Sequence, residues 1–178
     1  RRRKASGRVL ITANRTLKSA LEDKARRFPD TPFLVFEDAT DRHEGPWTWR
    51  QFDEAVNRAA HLLLARGLRH GDKFNLHLGN CPDFLFFWMA AAKTGTVMVP
   101  TNPASTADEM EYILGHSEAR LAITEPRYAA PVNAARLRCP ALVDVIECRP
   151  LDPLVAGLPA TPPDSHVAPL DLISMQYT

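Results

Sequence analysis

Apolar residues along this chain follow helical and strand periodicities in alternation. Residues 16–28 carry apolar side chains on one helical face, which predicts a first helix that ends before a proline. The apolar run 33–36 and the run 47–49 predict the two strands of a hairpin. Later apolar runs predict further strands, with helices between them, at 73–78, 97–99, 121–124, 142–146 and 172–176.

Polar residues at fixed spacings predict where helices begin. Thr48 and Gln51 have the spacing of a capping box, in which each side chain bonds the backbone N–H of the other residue. A later helix has two candidate caps, each with an acidic residue three positions on: Ser105 with Asp108, and Thr106 with Glu109.

The segment 150–169 differs from the rest of the chain in composition. It contains six prolines, which disfavour both a helix and an inner strand. We therefore expect an extended linker that runs over the surface. The alternation of strands and helices before it predicts an α/β fold with a mostly parallel sheet and helices on both faces. In such folds ligands bind at the carboxyl ends of the strands.

Composition and charge exclude several classes of function. The 178 residues carry a formal net charge of +1, which indicates no nucleic-acid partner. The basic run 1–4 is read as part of a solvated tail. The apolar stretch 84–92 is too short to cross a bilayer, since a spanning helix needs about 20 residues. The three cysteines fit neither a disulfide framework nor a metal knuckle, which favours the cytoplasm.

Several residues have both a structural and a functional interpretation, and in each case the structural one is preferred. Phe86, Phe87 and Trp88 belong to a helix that is apolar nearly all round, so we expect core packing, with an acyl channel as the alternative. The remaining candidates are interpreted as follows: Asp83 as a helix-dipole partner, Lys93 as a solvated charge, Cys81 as unreactive, Asn102 as a loop-holding residue, Tyr177 as a strand end, and His61, His70, His77 and His116 as surface or hydrogen-bonded histidines without metal spacing.

Three stretches of the chain carry a family resemblance. The run 47–52, WTWRQF, resembles the "(F/L)TYxEL" motif of adenylate-forming (AMP-binding) acyl-CoA synthetases, with Trp49 and Phe52 replacing Tyr and Leu. The run 80–103 is similar to the family's "NxPEF" helix followed by "KxGAxxVPxNP". The run 171–178, DLISMQYT, resembles the strand that leads into the phosphate loop "YTSGTTGxPKGV". Within the family the look is closest to carnitine- and crotonobetaine-CoA ligases.

This resemblance implies a fold, a reaction and cofactors. It implies a flavodoxin-like sheet that forms the first part of the large N-terminal domain of an adenylate-forming enzyme. The implied reaction uses ATP and Mg²⁺ to convert a carboxylic acid to an acyl-adenylate, and CoA then takes the acyl group. Thr178 is the one residue assigned a cofactor contact, as the first hydroxyl of the phosphate loop. No catalytic residue and no metal ligand is assigned, so residues 1–178 alone are expected to be inactive.

Composition, hydrophobic pattern and resemblance together predict how the chain is organised. We expect a basic tail over 1–15, an α/β subdomain over 16–149, the linker over 150–169 and a strand over 170–178. The expected partners are the remainder of the same protein, either continuous or as a nicked second chain, and a carboxylic acid, while a homodimer is left open. Two alternative functions remain: a ligase-like protein that retains one half-reaction, and a non-catalytic packing module.

Overall fold

A computed structural model describes residues 15–37, 43–149 and 151–177. Thr178 and all but Arg15 of the predicted basic tail lie outside the described residues. Among those described, the α-helices are α1 (Leu17–Arg27), α2 (Trp49–Ala65), α3 (Pro82–Thr94), α4 (Ala107–Ser117), α5 (Ala129–Arg136) and α6 (Asp152–Val155). The strands are β1 (Pro32–Glu37), β2 (His43–Thr48), β3 (Lys73–His77), β4 (Val97–Pro100), β5 (Leu121–Thr124) and β6 (Asp144–Glu147).

The predicted capping residues begin two of the helices. Thr48 accepts a bond from the backbone N–H of Gln51, whose side chain bonds the Thr48 N–H in return, and α2 starts at the next residue. Of the two candidate caps for α4, Thr106 forms the capping box, with Glu109. The capping prediction is therefore confirmed at both helices.

The strands form a hairpin and a parallel sheet. β1 and β2 pair antiparallel, as predicted. The other four strands are all parallel, in the order β4-β3-β5-β6. The chain passes from β3 to its neighbour β4 and then crosses β3 to reach β5, which is the connectivity of flavodoxin-like sheets. The predicted α/β class with a mostly parallel sheet is confirmed.

Helices cover both faces of the parallel sheet. On one face, Phe74 and Ile123 are fully buried in a core that includes residues of α2 and α3. On the other face, Ala122 packs with Met110 and Leu114 of α4 and with residues of α5. Alternate residues of a strand point to opposite faces, and the strands β4 and β5 of this two-sided sheet are accordingly apolar throughout most of their length, whereas β3 carries the polar residues Asn75 and His77.

Two predictions about the last part of the chain are wrong. The proline-rich segment contains the single helical turn α6, and Leu151 and Val155 are buried in the main core. Pro153 is compatible with this turn because the first turn of a helix does not use its backbone N–H groups. Instead of a strand over 172–176, the structure has one parallel bridge, between Ser174 and Met98.

A proline limits that last pairing. The Met98 N–H donates to the Ile173 carbonyl at 3.0 Å, and the Met175 N–H donates to the Met98 carbonyl at 2.9 Å. The next bond of a parallel ladder would come from the N–H of residue 100. Residue 100 is Pro100, which has no N–H, so the ladder ends after one bridge.

Candidate functional site at the carboxyl edge of the sheet

The carboxyl ends of the parallel strands meet at one edge of the molecule. His77 ends β3, Thr101 follows β4, and Thr124 ends β5. Because the Ser174 bridge is also parallel, the segment 171–177 runs toward the same edge and ends there at Tyr177. We call 171–177 the edge segment. Since this edge is where α/β folds bind ligands, it is the candidate site.

A buried polar network lies at the end of β3. Thr101 Oγ1 is 2.8 Å from His77 Nδ1 and accepts a bond from Asn75 Nδ2 at 3.1 Å. His77 and Asn75 are fully buried, and among the described residues neither His77 Nε2 nor Asn75 Oδ1 has a hydrogen-bond partner. Burial lowers the pKa of His77. Of the two interpretations of His77, a surface position is wrong because the ring is fully buried, and hydrogen bonding is confirmed at Nδ1 but not at Nε2.

A carboxylate lies between the ends of β3 and β5. Glu125 is 3% exposed and accepts bonds from the Gly79 N–H at 2.9 Å, from Arg127 Nε at 2.9 Å and from Arg149 Nη1 at 3.2 Å. Burial alone would raise the pKa of Glu125, but the Gly79, Arg127 and Arg149 bonds outweigh it and hold the pKa below its usual value. Backbone N–H groups and arginines at the carboxyl edge of a sheet attract anions, and here the anion is the Glu125 carboxylate of the chain itself.

Sequence reasoning did not select Glu125 or Asn75. The available signal was position, because Glu125 directly follows a predicted strand and so had to lie at the carboxyl edge. Arg149 carried no comparable signal. It reaches Glu125 only because β6 lies beside β5, and hydrophobic patterns alone do not show which strands are neighbours.

The end of the edge segment contacts α4 through aromatic side chains. The Tyr177 hydroxyl lies 2.8 Å from His116 Nδ1 and 3.5 Å from the Met175 sulfur. His116 stacks on Tyr112 with ring centroids 5.7 Å apart, and the Tyr177 ring meets both edge-on. Tyr177 is therefore not the end of a strand, as the sequence predicts, but a side-chain contact between the edge segment and α4.

A large apolar groove lies between α1, α3 and the hairpin, and Asp171 and Ile173 at the start of the edge segment also line it. It has a volume of about 900 Å³, and Leu85, Trp88 and Met89 of α3 line it. Phe86 and Phe87 point away from it and are buried in the main core. Core packing is therefore confirmed for Phe86 and Phe87, whereas Trp88 is half-buried on the groove wall.

Lys93 is the largest correction among the candidate residues. The sequence predicts a solvated charge, but the side chain is fully buried between three helices. Its Nζ donates to Asp53 Oδ1 at 2.7 Å and to Asn57 Oδ1 at 2.6 Å, and Glu22 Oε1 lies 3.5 Å away. These partners come from α1 and α2, so their convergence is a tertiary property that local sequence does not reveal.

The contacts of the other candidate residues agree with the structural roles predicted for them. Burial raises the pKa of Cys81 to about 11, which leaves the thiol protonated and unreactive. Asn102 Oδ1 accepts a bond from the Ala104 N–H, as expected for a residue that holds a loop. The remaining candidates occupy helical or surface positions: Asp83 in the first turn of α3, His61 against the Thr161 carbonyl, and His70 against Asp171.

Within 15–37, 43–149 and 151–177, no three His, Cys, Asp or Glu side chains converge as a metal site. In the same ranges, the helices are all too short or too polar to traverse a bilayer.

The chain is similar to known proteins in sequence and in structure. A crotonobetaine/carnitine–CoA ligase of Citrobacter koseri is 35% identical over 121 residues, which is 66% of this chain and 23% of that protein. A Salmonella typhimurium protein of the same name is 34% identical over the same length. This chain thus spans about a quarter of the length of these curated relatives.

Solved structures agree with this likeness. A Mycobacterium tuberculosis fatty acyl CoA synthetase matches with a TM-score of 0.82 and 27% identity over 92% of this chain and 32% of that one. The N-terminal domain of FACL13 from the same organism matches with a TM-score of 0.83, covering 42% of that chain. The AMP-binding enzyme family matches residues 21–178 of this sequence. With the parallel sheet and its carboxyl edge, this match establishes that the chain belongs to the AMP-binding enzyme family.

Proposed function

We propose that the protein is an AMP-forming acyl-CoA synthetase. In the first step a carboxylate oxygen attacks the α-phosphorus of ATP, and pyrophosphate leaves as the acyl-adenylate forms. In the second step the thiol of CoA attacks the acyl carbon, and AMP leaves. The observation that carries the proposal is the family match over 21–178, together with relatives that are named as CoA ligases.

Thr178 is assigned the role of a phosphate contact within this proposal. Transfer at phosphorus requires fixed donors directed at the oxygens where negative charge develops. A hydroxyl that follows the edge segment is suited to this task, because the segment runs parallel to β4 toward the carboxyl edge. Mg²⁺ would accompany ATP and offset the charge of its phosphates, but the described residues form no ligand set for it. The inactivity of residues 1–178 alone stays a prediction.

The substrate class within the proposal is a small or medium-sized carboxylic acid. The two sequence relatives are named for crotonobetaine and carnitine, and the structural neighbour for fatty acyl groups. We also propose a cytoplasmic location. The three free cysteines, which are all buried and unpaired with one another, support a reducing compartment.

The test separates the two steps. The full-length protein is incubated with MgATP and each acid of a panel: carnitine, crotonobetaine and straight-chain acids of four to twelve carbons. Acid-dependent exchange of labelled pyrophosphate into ATP reports the first step, and mass spectrometry of the acyl-CoA reports the second. We expect both signals with at least one acid. Acyl-CoA formed from a supplied adenylate without any exchange would instead show a protein that performs the second step alone.

A further inference from the structure

The edge segment has few attachments to the rest of the molecule. Upstream, Asp171 Oδ2 accepts one hydrogen bond, from the Ala168 N–H at 2.7 Å. The same oxygen lies 2.8 Å from His70 Nε2. In the middle, the two bonds with Met98 form the single bridge to the sheet. Downstream, the contact with α4 through Tyr177 is the last attachment before Thr178.

The ring contacts of Tyr177 come from two residues one turn apart on α4, and the Ser117 side chain of the same helix also hydrogen-bonds the Tyr177 hydroxyl. Tyr112 and His116 have the i, i+4 spacing that places side chains on the same helical face. Their rings are nearly parallel, at 19°, and Tyr177 meets both at 84° and 87°, the edge-to-face geometry that aromatic pairs prefer. Tyr112 is 63% exposed, so burial of its own apolar surface does not account for the arrangement.

The hydroxyl of Tyr177 adds direction to this contact. It donates toward the Met175 sulfur at 3.5 Å, and His116 Nδ1 lies 2.8 Å from the same oxygen. An edge-to-face contact alone would leave the ring free to slide, whereas the hydrogen bond fixes the distance between the edge segment and α4. Because the ladder beyond Met98 lacks the N–H of Pro100, this side-chain contact takes over where backbone pairing ends.

We propose that Tyr112 and His116 are positioning residues that, by holding Tyr177, set the place of the phosphate-binding loop that begins at Thr178. The inference rests on the proposed function for its effect on ATP. Its structural half, the anchoring of the edge segment by α4, is measurable without any activity. The two residues touch no substrate and act through Tyr177.

The experiment uses four variants of the full-length protein. Tyr177→Phe keeps the ring and removes the hydroxyl, while His116→Ala and the double variant complete a mutant cycle. His61→Ala is the matched control, since this histidine makes a similar single bond, to the Thr161 carbonyl at 3.0 Å, far from the edge segment. Loss of one neutral hydrogen bond predicts a rise of about two- to tenfold in KM for ATP in pyrophosphate exchange. KM for the acid should change less than twofold, and the double variant should be no worse than the poorer single one.

Hydrogen exchange supplies the readout that is independent of activity. In His116→Ala, a peptide covering 172–177 should exchange faster than in the wild type, and in His61→Ala it should not. If hydrogen exchange in that peptide is the same in His116→Ala as in the wild type, the inference is overturned. It is also overturned if KM for ATP rises as much in His61→Ala as in His116→Ala. A wild type that shows no exchange of pyrophosphate with any acid overturns the proposed function, and hydrogen exchange then still decides whether α4 anchors the segment.

Discussion

The fully buried ammonium of Lys93 shows how strongly a single residue can depend on its partners. Asp53 and Asn57 satisfy it at 2.7 and 2.6 Å, with Glu22 at 3.5 Å. Removing one member of a buried ion pair leaves the other charge without compensation, which costs more than the pair itself contributes. Lys93 therefore links α3 to α1 and α2, and its charge stabilises the packing of these three helices.

Replacing Lys93 by alanine should destabilise the protein by about 3–5 kcal/mol, because the Asp53 carboxylate would stay buried without a cation. Lys73→Ala is the matched control: its ion pair with Glu118 is long, at 4.0 Å, and Glu118 is largely exposed. The control should cost less than about 1 kcal/mol. Urea unfolding followed by tryptophan fluorescence measures both, and equal losses would show that Lys93 has no special role.

His77 predicts a dependence of stability on pH. Burial lowers its pKa, so the folded state keeps the imidazole neutral while the unfolded chain takes up a proton below pH 6.5. The folded protein then binds fewer protons than the unfolded chain, and stability falls as the pH drops below 6.5. The lowered pKa of Glu125 acts in a lower window, below its ordinary value of 4.5. The upper part of the range between pH 6.5 and 4.5 therefore reports mainly His77, because the unfolded Glu125 carboxyl takes up protons only toward the lower end.

The measurement is urea unfolding of the wild type and of His77→Gln at several pH values in that range. Glutamine does not titrate and can keep a hydrogen bond with Thr101, so its stability should vary less with pH than that of the wild type. Identical pH profiles for the two proteins would mean that His77 does not titrate differently on unfolding.

At the scale of elements, the turn between α3 and β4 depends on a glycine. Gly95 has a φ of +74°, in the left-handed region that disfavours other residues, and a Cβ there would lie 2.2 Å from His70 Cδ2. His70 is also 2.8 Å from Asp171 at the start of the edge segment. A side chain at position 95 must therefore push His70 away and loosen that attachment.

Two glycine variants separate backbone strain from this clash. Gly67 has a similar φ of +82°, but a Cβ there would meet nothing within 4 Å. Gly67→Ala should cost about 1–2 kcal/mol from the left-handed conformation alone. Gly95→Ala should cost more and should also speed hydrogen exchange in the edge segment. Equal melting temperatures for the two variants would show that His70 yields without cost.

Local rules explain which elements the sequence could predict. The capping boxes at Thr48 and Thr106 act within four residues, so they were visible in the sequence and are confirmed. The single turn at α6 and the single bridge at Ser174 were missed for the same kind of reason: each depends on what a proline does at one position of one ladder or one turn. Composition over twenty residues does not resolve such positions.

At the scale of the whole molecule, periodicity predicts the layers of sheet and helices but not which side chains contact each other between elements. The alternation of strands and helices was enough for a parallel sheet covered on both faces, which is confirmed. The Lys93 cluster, the Glu125 cluster and the Tyr177 contact all join elements that are distant in sequence. They follow from strand order and helix packing, which hydrophobic patterns alone leave open.

The central claim is that the edge segment positions the Thr178 hydroxyl for a hydrogen bond to the phosphates of ATP. The most direct test is pyrophosphate exchange by Thr178→Val in the full-length protein, since valine keeps the shape and loses the hydroxyl, with Thr178→Ser as the control that restores it. A hydrogen bond to a charged group contributes about 1.5–3 kcal/mol, so kcat/KM for ATP should fall by roughly 10- to 150-fold with valine and stay near the wild-type value with serine. A valine variant that exchanges pyrophosphate as well as the wild type would contradict the account.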